Sequence, residues 1–338
     1  AVPTEEELKE VAKLVNSSGG DWGYVTVVMQ IDDLNHQKWQ NVFDRMRELH
    51  LIPIVRLATK ISPSGYWEKP KENDIHRWVD FLNSLNWVVK QRYVILFNEP
   101  NHGKEWGGEV NPQEYVQYSY QLAKELKKNN TDYFLMLAGF DSAAPHQPSQ
   151  YADQAVYLRQ MNQEIELEKL FEYVDGLSSH AYPNHGFVGS PYDSGRNSIL
   201  NYKWELQVLK DLGVKKDLPV FITETGWPHY EGLGKRSNYY SADQVAKYYK
   251  IYFQRVLPDN RVKAITPFIF NYQEEPFDNF SWKKPGDNGY YPQYDVVKNI
   301  DKPKGSPKQE QKLEIIDLPP NKLIRNSTYK FDIKIKNT

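Results

Sequence analysis

Two stretches of the chain close a short apolar run with a carboxylate: Tyr93-Val-Ile-Leu-Phe-Asn-Glu-Pro100 and Val220-Phe-Ile-Thr-Glu-Thr-Gly-Trp-Pro228. Each run is rich in β-branched and aromatic residues and reads as a strand buried on both faces. Five more runs have this character: Tyr24–Met29, Ile52–Leu57, Tyr133–Gly139, Val174–Ser179 and Val262–Phe270. Between them, apolar residues recur at helical spacing. Leu8, Val11, Ala12 and Val15 form one stripe, and Trp39, Val42, Phe43 and Met46 the next. Ile75, Trp78, Val79 and Leu82 form a third, Val245, Tyr248, Tyr249, Tyr252 and Phe253 a late one, and a last helix is expected near Gln293–Asn299. Regular alternation of strand and helix means a parallel sheet with crossover helices. Residues 4–300 suit an α/β fold of the (β/α)8 barrel (TIM barrel) type, which takes about 250 residues before insertions. An open doubly wound sheet is the alternative, but no Gly-rich phosphate loop follows an early strand.

Seven strands are one short of a barrel, and the chain opens with a helix. An eighth strand is expected before Thr4, where only Ala1–Pro3 stand. The first strand is therefore read as missing from the chain. A barrel closed by another segment is the alternative, and eight strands drawn from within Tyr24–Ile300 would establish it. Residues 1–300 form the expected barrel. Residues 301–310, which contain Asp301-Lys-Pro-Lys-Gly-Ser-Pro-Lys308, read as a linker. Residues 311–338 read as a β segment with runs at Lys312–Asp317 and Tyr329–Ile335. Tyr329, Phe331, Ile333 and Ile335 would share a face. So short a piece cannot form its own sandwich; it is the start of a truncated β domain or it docks on the barrel.

Among 338 residues, 42 are Lys or Arg and 44 Asp or Glu, a net charge of −2 that favours neither nucleic acid nor a membrane surface. No apolar run approaches the roughly 18 residues of a spanning helix. The absence of Cys excludes disulfides, thiol nucleophiles and thiolate metal sites. The 24 Tyr, 9 Trp and 14 Phe serve either an aromatic core or a sugar-binding cleft, where flat rings cover the apolar faces of pyranoses.

In a barrel, residues at the C-terminal ends of the strands surround the active site. With a first strand counted, Glu99 ends strand four and Glu224 strand seven, across the mouth from one another. Glycosidic bond cleavage needs such a pair of carboxyl groups. Here the chain resembles clan A of the glycoside hydrolases, the retaining (β/α)8 enzymes. Their Asn-Glu acid/base motif on strand four is matched by Asn98-Glu99, and their nucleophile, a Glu ending strand seven, by Glu224. The segment Thr223-Glu-Thr-Gly-Trp-Pro228 is also similar to the nucleophile segment of β-1,3-glucanases. The resemblance spans residues 4–300 in architecture but is specific only at these motifs. It implies retaining hydrolysis of a β-linked oligo- or polysaccharide, no cofactor, and an extracellular or cell-surface location. Transglycosylation by the same site and a non-catalytic carbohydrate-binding barrel are the alternatives.

Supporting groups follow. Asn98 is expected to bond the sugar 2-hydroxyl. Ser179-His-Ala-Tyr182 resembles the clan's His-x-Tyr pair. Tyr182 would then donate to Glu224, and His180 would sit beside Glu99 or a substrate hydroxyl, unless both merely pack. Arg56 interrupts an apolar strand and requires a carboxylate, either Glu224 or a structural partner. Trp282 stands where the clan places a sugar-stacking ring. Trp106 is the next candidate platform, Trp227 and Trp67 follow, and any of the four can instead be core. Tyr272 and Glu274 lie within reach of sugar hydroxyls. His102 and His185 form no ligand cluster and no His-x-x-x-His is present, so no metal site is expected. Ser178 and Ser179 lack a nucleophile-elbow context.

Overall fold

The computed structural model describes residues 2–232, 238–286, 289–309, 313–315 and 322–337. Seven parallel strands alternate with helices: α1 (Glu5–Val15), β1 (Gly23–Gln30), α2 (His36–Glu48), β2 (Leu51–Ala58), α3 (Asp74–Ser84), β3 (Arg92–Leu96), α4 (Pro112–Asn129) and β4 (Tyr133–Leu137). Then come α5 (Gln154–Glu164), the single turn α6 (Leu167–Leu170), β5 (Leu177–His180), α7 (Asn201–Asp211), β6 (Val220–Glu224), α8 (Ala242–Val256), β7 (Val262–Ile265) and α9 (Pro292–Lys298). Local chemistry explains several helix starts. Thr4 and Glu7 make a reciprocal capping box on α1. Asn35, Asn111, Asp153 and Ser241 each accept from a backbone N–H in the first turn of the helix they precede.

The strands run in chain order, β1-β2-β3-β4 in one sheet and β5-β6-β7 in the next. A parallel bridge from Met136 to Gly176 and the bond from Asp175 N to Leu135 O (2.8 Å) join the two. Inside, side chains stack in layers. Tyr24, Tyr93, Phe134 and Phe221 meet across the N-terminal end from strands that are not all neighbours. Above them lies a hydroxyl layer, with Thr26 to Thr266 at 2.9 Å and Ser178 to Thr223 at 2.7 Å. The charged residues occupy the C-terminal end.

The two sheets meet along β4 and β5 at that isolated bridge, whereas β7 and β1 meet through side chains. Among the described residues, no backbone pairing joins them, and Thr26–Thr266 is a side-chain link. The ring is thus open there among the described residues. Its effect shows in burial: every residue of β3 is buried, whereas β1 is mostly half-exposed despite its apolar sequence. A cavity of about 1460 Å³ follows this gap from Arg56 and Glu224 down to Asp301–Lys308. The N-terminal end of the barrel is strapped by that last stretch. Gly305 N donates to Asp21 O (2.9 Å) and Lys90 N to Lys308 O (2.7 Å). Lys302 Nζ caps the end of α9 through the carbonyls of Val297 (2.8 Å), Ile300 (3.0 Å) and Lys298 (3.2 Å).

Beyond the barrel, β8 (Leu313–Ile315) pairs antiparallel with β9 (Ile335–Asn337). The run expected at Lys312–Asp317 lies partly outside the described residues. Tyr329–Lys334 is exposed and carries no ladder. No helix among the described residues is long and apolar enough to cross a membrane.

Candidate active site

Glu224 is the last residue of β6, and Glu99 lies just beyond β3. The turn carrying Glu99 is strained: Phe97 (φ 73°) and Glu99 (φ 30°) both have left-handed backbone, which costs on the order of 1–3 kcal/mol per residue. Phe97 N donates to Ile95 O (3.1 Å) and Glu99 N to Gly139 O (3.0 Å), and these bonds hold it. The tie to Gly139 also brings Glu99 next to β5. A Cβ on Gly139 would lie 2.1 Å from His180 Cδ2, so only glycine lets the imidazole reach the acid. A bulge between Ser179 and His180 then pairs His180 with Glu224, skipping Thr223.

Four expected residues converge on the two acids. His180 Nδ1 lies 2.7 Å from Glu99 Oε1 and 3.7 Å from Glu224 Oε2. Arg56 Nη1 donates to Glu224 Oε1 at 2.5 Å and to Asn98 Oδ1 at 2.7 Å. Tyr182 OH donates to Glu224 Oε2 at 3.0 Å. Its position is set by Ala181 N bonding to Glu224 O (3.0 Å) and Thr225 Oγ1 to Ala181 O (2.8 Å). Burial alone would raise the Glu224 pKa. The charges of His180 and Arg56 and the bonds from Arg56 and Tyr182 outweigh it and hold the carboxyl below the usual range. Burial likewise favours neutral His180, but the Glu224 charge and the Glu99 bond raise its pKa above the ordinary histidine value.

The aromatic candidates divide. Trp106 is buried, packed edge-on to Phe97 and Tyr115, with its indole N–H on Glu114 (3.0 Å). Trp227 is buried against Tyr248, Tyr249 and Tyr252. Both belong to the hydrophobic core. Trp282 is also buried and lies on Tyr249, but it lines the cavity shared with Glu224 and Arg56. Half-exposed Trp67 is tied to the loop after β3 through Lys104 O (2.8 Å). Tyr272 is half-exposed and Glu274 exposed.

Three further residues, none of them expected in the site, stand beside this cluster. His102 Nε2 bonds Asp141 Oδ2 at 2.9 Å. Burial would depress the His102 pKa, but Asp141 and the Glu99 charge raise it. Glu105, in the 3-10 turn Gly103–Glu105, is pushed up to about 7 by burial and by the Glu99 charge. In sequence it sits between Lys104 and Trp106 and looks like an ordinary turn charge.

The acid oxygens of Glu99 and Glu224 and a nitrogen of His180 lie within 4.8 Å of one another, a spacing that can also hold a metal ion. Arg56 and Tyr182, however, occupy both oxygens of Glu224, and a cation there would face the guanidinium.

No protein-family model matches the sequence, and no curated protein matches it. Solved structures do match. One is a monomeric β-xylosidase from Caulobacter crescentus CB15, with TM-score 0.57 and 15% identity over 87% of this chain and 64% of that one. The fold is that of the (β/α)8 glycoside hydrolases. The Ignisphaera aggregans GH53 catalytic domain aligns with TM-score 0.56 and 13% identity over 89% of each chain. A GH128 endo-β-1,3-glucanase from Sorangium cellulosum aligns with TM-score 0.53 and 12% identity over 88% of this chain and 95% of that one. The chain spans under two thirds of the length of the β-xylosidase and of a family 39 glycoside hydrolase from Bacteroides cellulosilyticus WH2, 64% and 62%. These neighbours are glycosidases of clan A type, and the barrel expected from strand–helix alternation is the fold they share.

Proposed function

We propose that this chain is a retaining glycoside hydrolase acting on β-linked glycans, with Glu224 as nucleophile and Glu99 as acid/base. One observation carries the reading: oxygens of the two acids lie within 4.8 Å of one another. Retaining pairs stand about 5–5.5 Å apart, whereas inverting pairs leave about 6.5–9.5 Å for a water. Arg56 and Tyr182 keep Glu224 anionic, as a nucleophile must be. Glu99 donates its proton to the leaving oxygen as Glu224 Oε attacks the anomeric carbon, giving a glycosyl ester and a free alcohol. Water then attacks that carbon, Glu99 takes its proton, and Glu224 departs as carboxylate. His180, bonded to Glu99, fixes the acid's orientation.

The likeness of Thr223–Pro228 to β-1,3-glucanase segments makes β-1,3-glucan the first substrate to try. Reducing-sugar release from β-glucans, mannans, xylans and galactans, with Glu224→Gln as control, tests the class. Proton NMR of the first-formed anomer tests the stereochemistry. Release that persists undiminished in Glu224→Gln, or a first product of inverted configuration, would overturn the assignment.

A further inference from the structure

On β5 the side chains that face the barrel interior are Ser178, bonded to Thr223 at 2.7 Å, and His180, bonded to Glu99. Strand alternation turns the residue between them, Ser179, outward to the helix layer. There its hydroxyl donates to Glu205 of α7. Glu205 also accepts from Gln154 Nε2, at the start of α5, at 2.8 Å. All three side chains are buried, with Glu205 only 1% exposed. An outward position on a parallel strand is ordinarily apolar, and a carboxyl in that layer is costly. Both donors are neutral groups, and burial raises the Glu205 pKa above its ordinary value. What the acid supplies is a fixed acceptor that ties β5 to two helices.

Ser179 stands where the register with β6 breaks. It pairs with Ile222, whereas the next pair is His180 with Glu224, and Thr223 is passed over. Phe221 and Thr223 both face the interior, so plain alternation would send Glu224 outward. The extra residue turns it inward beside His180. The fit of the imidazole between the two acids therefore hangs on where β5 lies at Ser179. We propose that Glu205 is a positioning residue: by gripping Ser179 from behind the strand, it holds His180 2.7 Å from Glu99 and 3.7 Å from Glu224. The proposal rests on the glycosidase reading above. Gly139 makes room for the ring on one side, and Glu205 fixes the backbone that carries it on the other.

The test measures kcat and KM for the wild type, Glu205→Met, Glu205→Gln, Ser179→Ala and Ser179→Ala/Glu205→Met, on the polymer that the panel above shows to be cleaved. Glu205→Met should lower kcat about tenfold to a hundredfold, the effect of moving a reacting group by up to about 1 Å, with KM little changed. Ser179→Ala removes only a hydroxyl and should give a similar loss. The double variant should fall no further than the worse single one, because both break the same contact. Glu205→Gln keeps an acceptor oxygen for Ser179 and should retain most activity. A role in stability alone would move Tm and leave kcat untouched well below it. Wild-type kcat in Ser179→Ala, or losses that multiply in the double variant, overturns the proposal while leaving the glycosidase reading intact. An activity-free arm covers failure of that reading. The His180 ring signal in proton–carbon spectra, assigned by its loss in His180→Gln, should move in Glu205→Met and in Ser179→Ala, and far less in Glu205→Gln. A signal unmoved in the first two overturns the positioning role whether or not any glycan is cleaved.

Discussion

Replacing Arg56 by Met removes a cation from a nearly dry ion pair. The Arg56 and Glu224 side chains are only 17% and 13% exposed. Loss of one partner strands the other as a buried charge, which costs about 3–5 kcal/mol. His180 remains 3.7 Å from Glu224 and favours the lower end of that range. With unfolding entropy of about 2.1 cal/mol/K per residue over roughly 300 ordered residues, the cost lowers Tm by about 5–8 °C. The sign with pH follows from the Glu224 shift. In the native protein its folded pKa is depressed from 4.5, so its contribution is present above the unfolded value and lost as pH falls through the folded one. In Arg56→Met the folded pKa rises instead, so the penalty is full at neutral pH and fades as acid protonates the carboxyl. Urea unfolding followed by Trp fluorescence should therefore separate the two proteins widely at pH 7 and much less at pH 4. Arg56→Met/Glu224→Gln should regain stability over Arg56→Met at pH 7, because the stranded charge is gone. Equal destabilisation at both pH values, or no recovery in the double variant, would refute the reasoning.

Two more perturbations test the geometry around the acids. Tyr182→Phe removes one of the bonds that lower the Glu224 pKa, so the acid limb of kcat/KM should move to higher pH and the plateau fall about tenfold, as for one hydrogen bond to a charged group; an unmoved limb would show that Tyr182 does not tune Glu224. Gly139→Ala places a methyl where the His180 ring lies; overpacking of this kind costs about 1–3 kcal/mol, and kcat should fall sharply while circular dichroism stays native, whereas full activity would mean that the ring has no need of its present place.

Much of the architecture could be read in advance because strand burial and helix periodicity are local properties. The run Ile52–Leu57 is apolar wherever it folds, and its single Arg announces a buried partner. The last expected strand was overlong: the ladder ends at Ile265, and Thr266–Phe270 is irregular. There the chain bends away from β6 toward the loop holding Trp282, whose N donates to Ile269 O (3.1 Å) and Phe270 O (3.2 Å). The tryptophans could not be sorted beforehand. A platform and a plug have the same composition and the same place after a strand, and only the packing of Tyr115 on Trp106, or of Tyr249 on Trp227, distinguishes them.

By itself the sequence determined an alternating barrel and two glutamates at strand ends, with Arg56, Asn98, His180 and Tyr182 as their candidate neighbours. These depend on residue type and period, which need no knowledge of distant contacts. Tertiary structure alone decided that Arg56 pairs with Glu224 rather than another acid, that a bulge sets His180 between both carboxyls, and that no ladder joins β7 to β1 among the described residues. Each of these joins residues dozens to hundreds of positions apart or hangs on the path of one turn, and such proximity is fixed only when the strands close side by side around a common core.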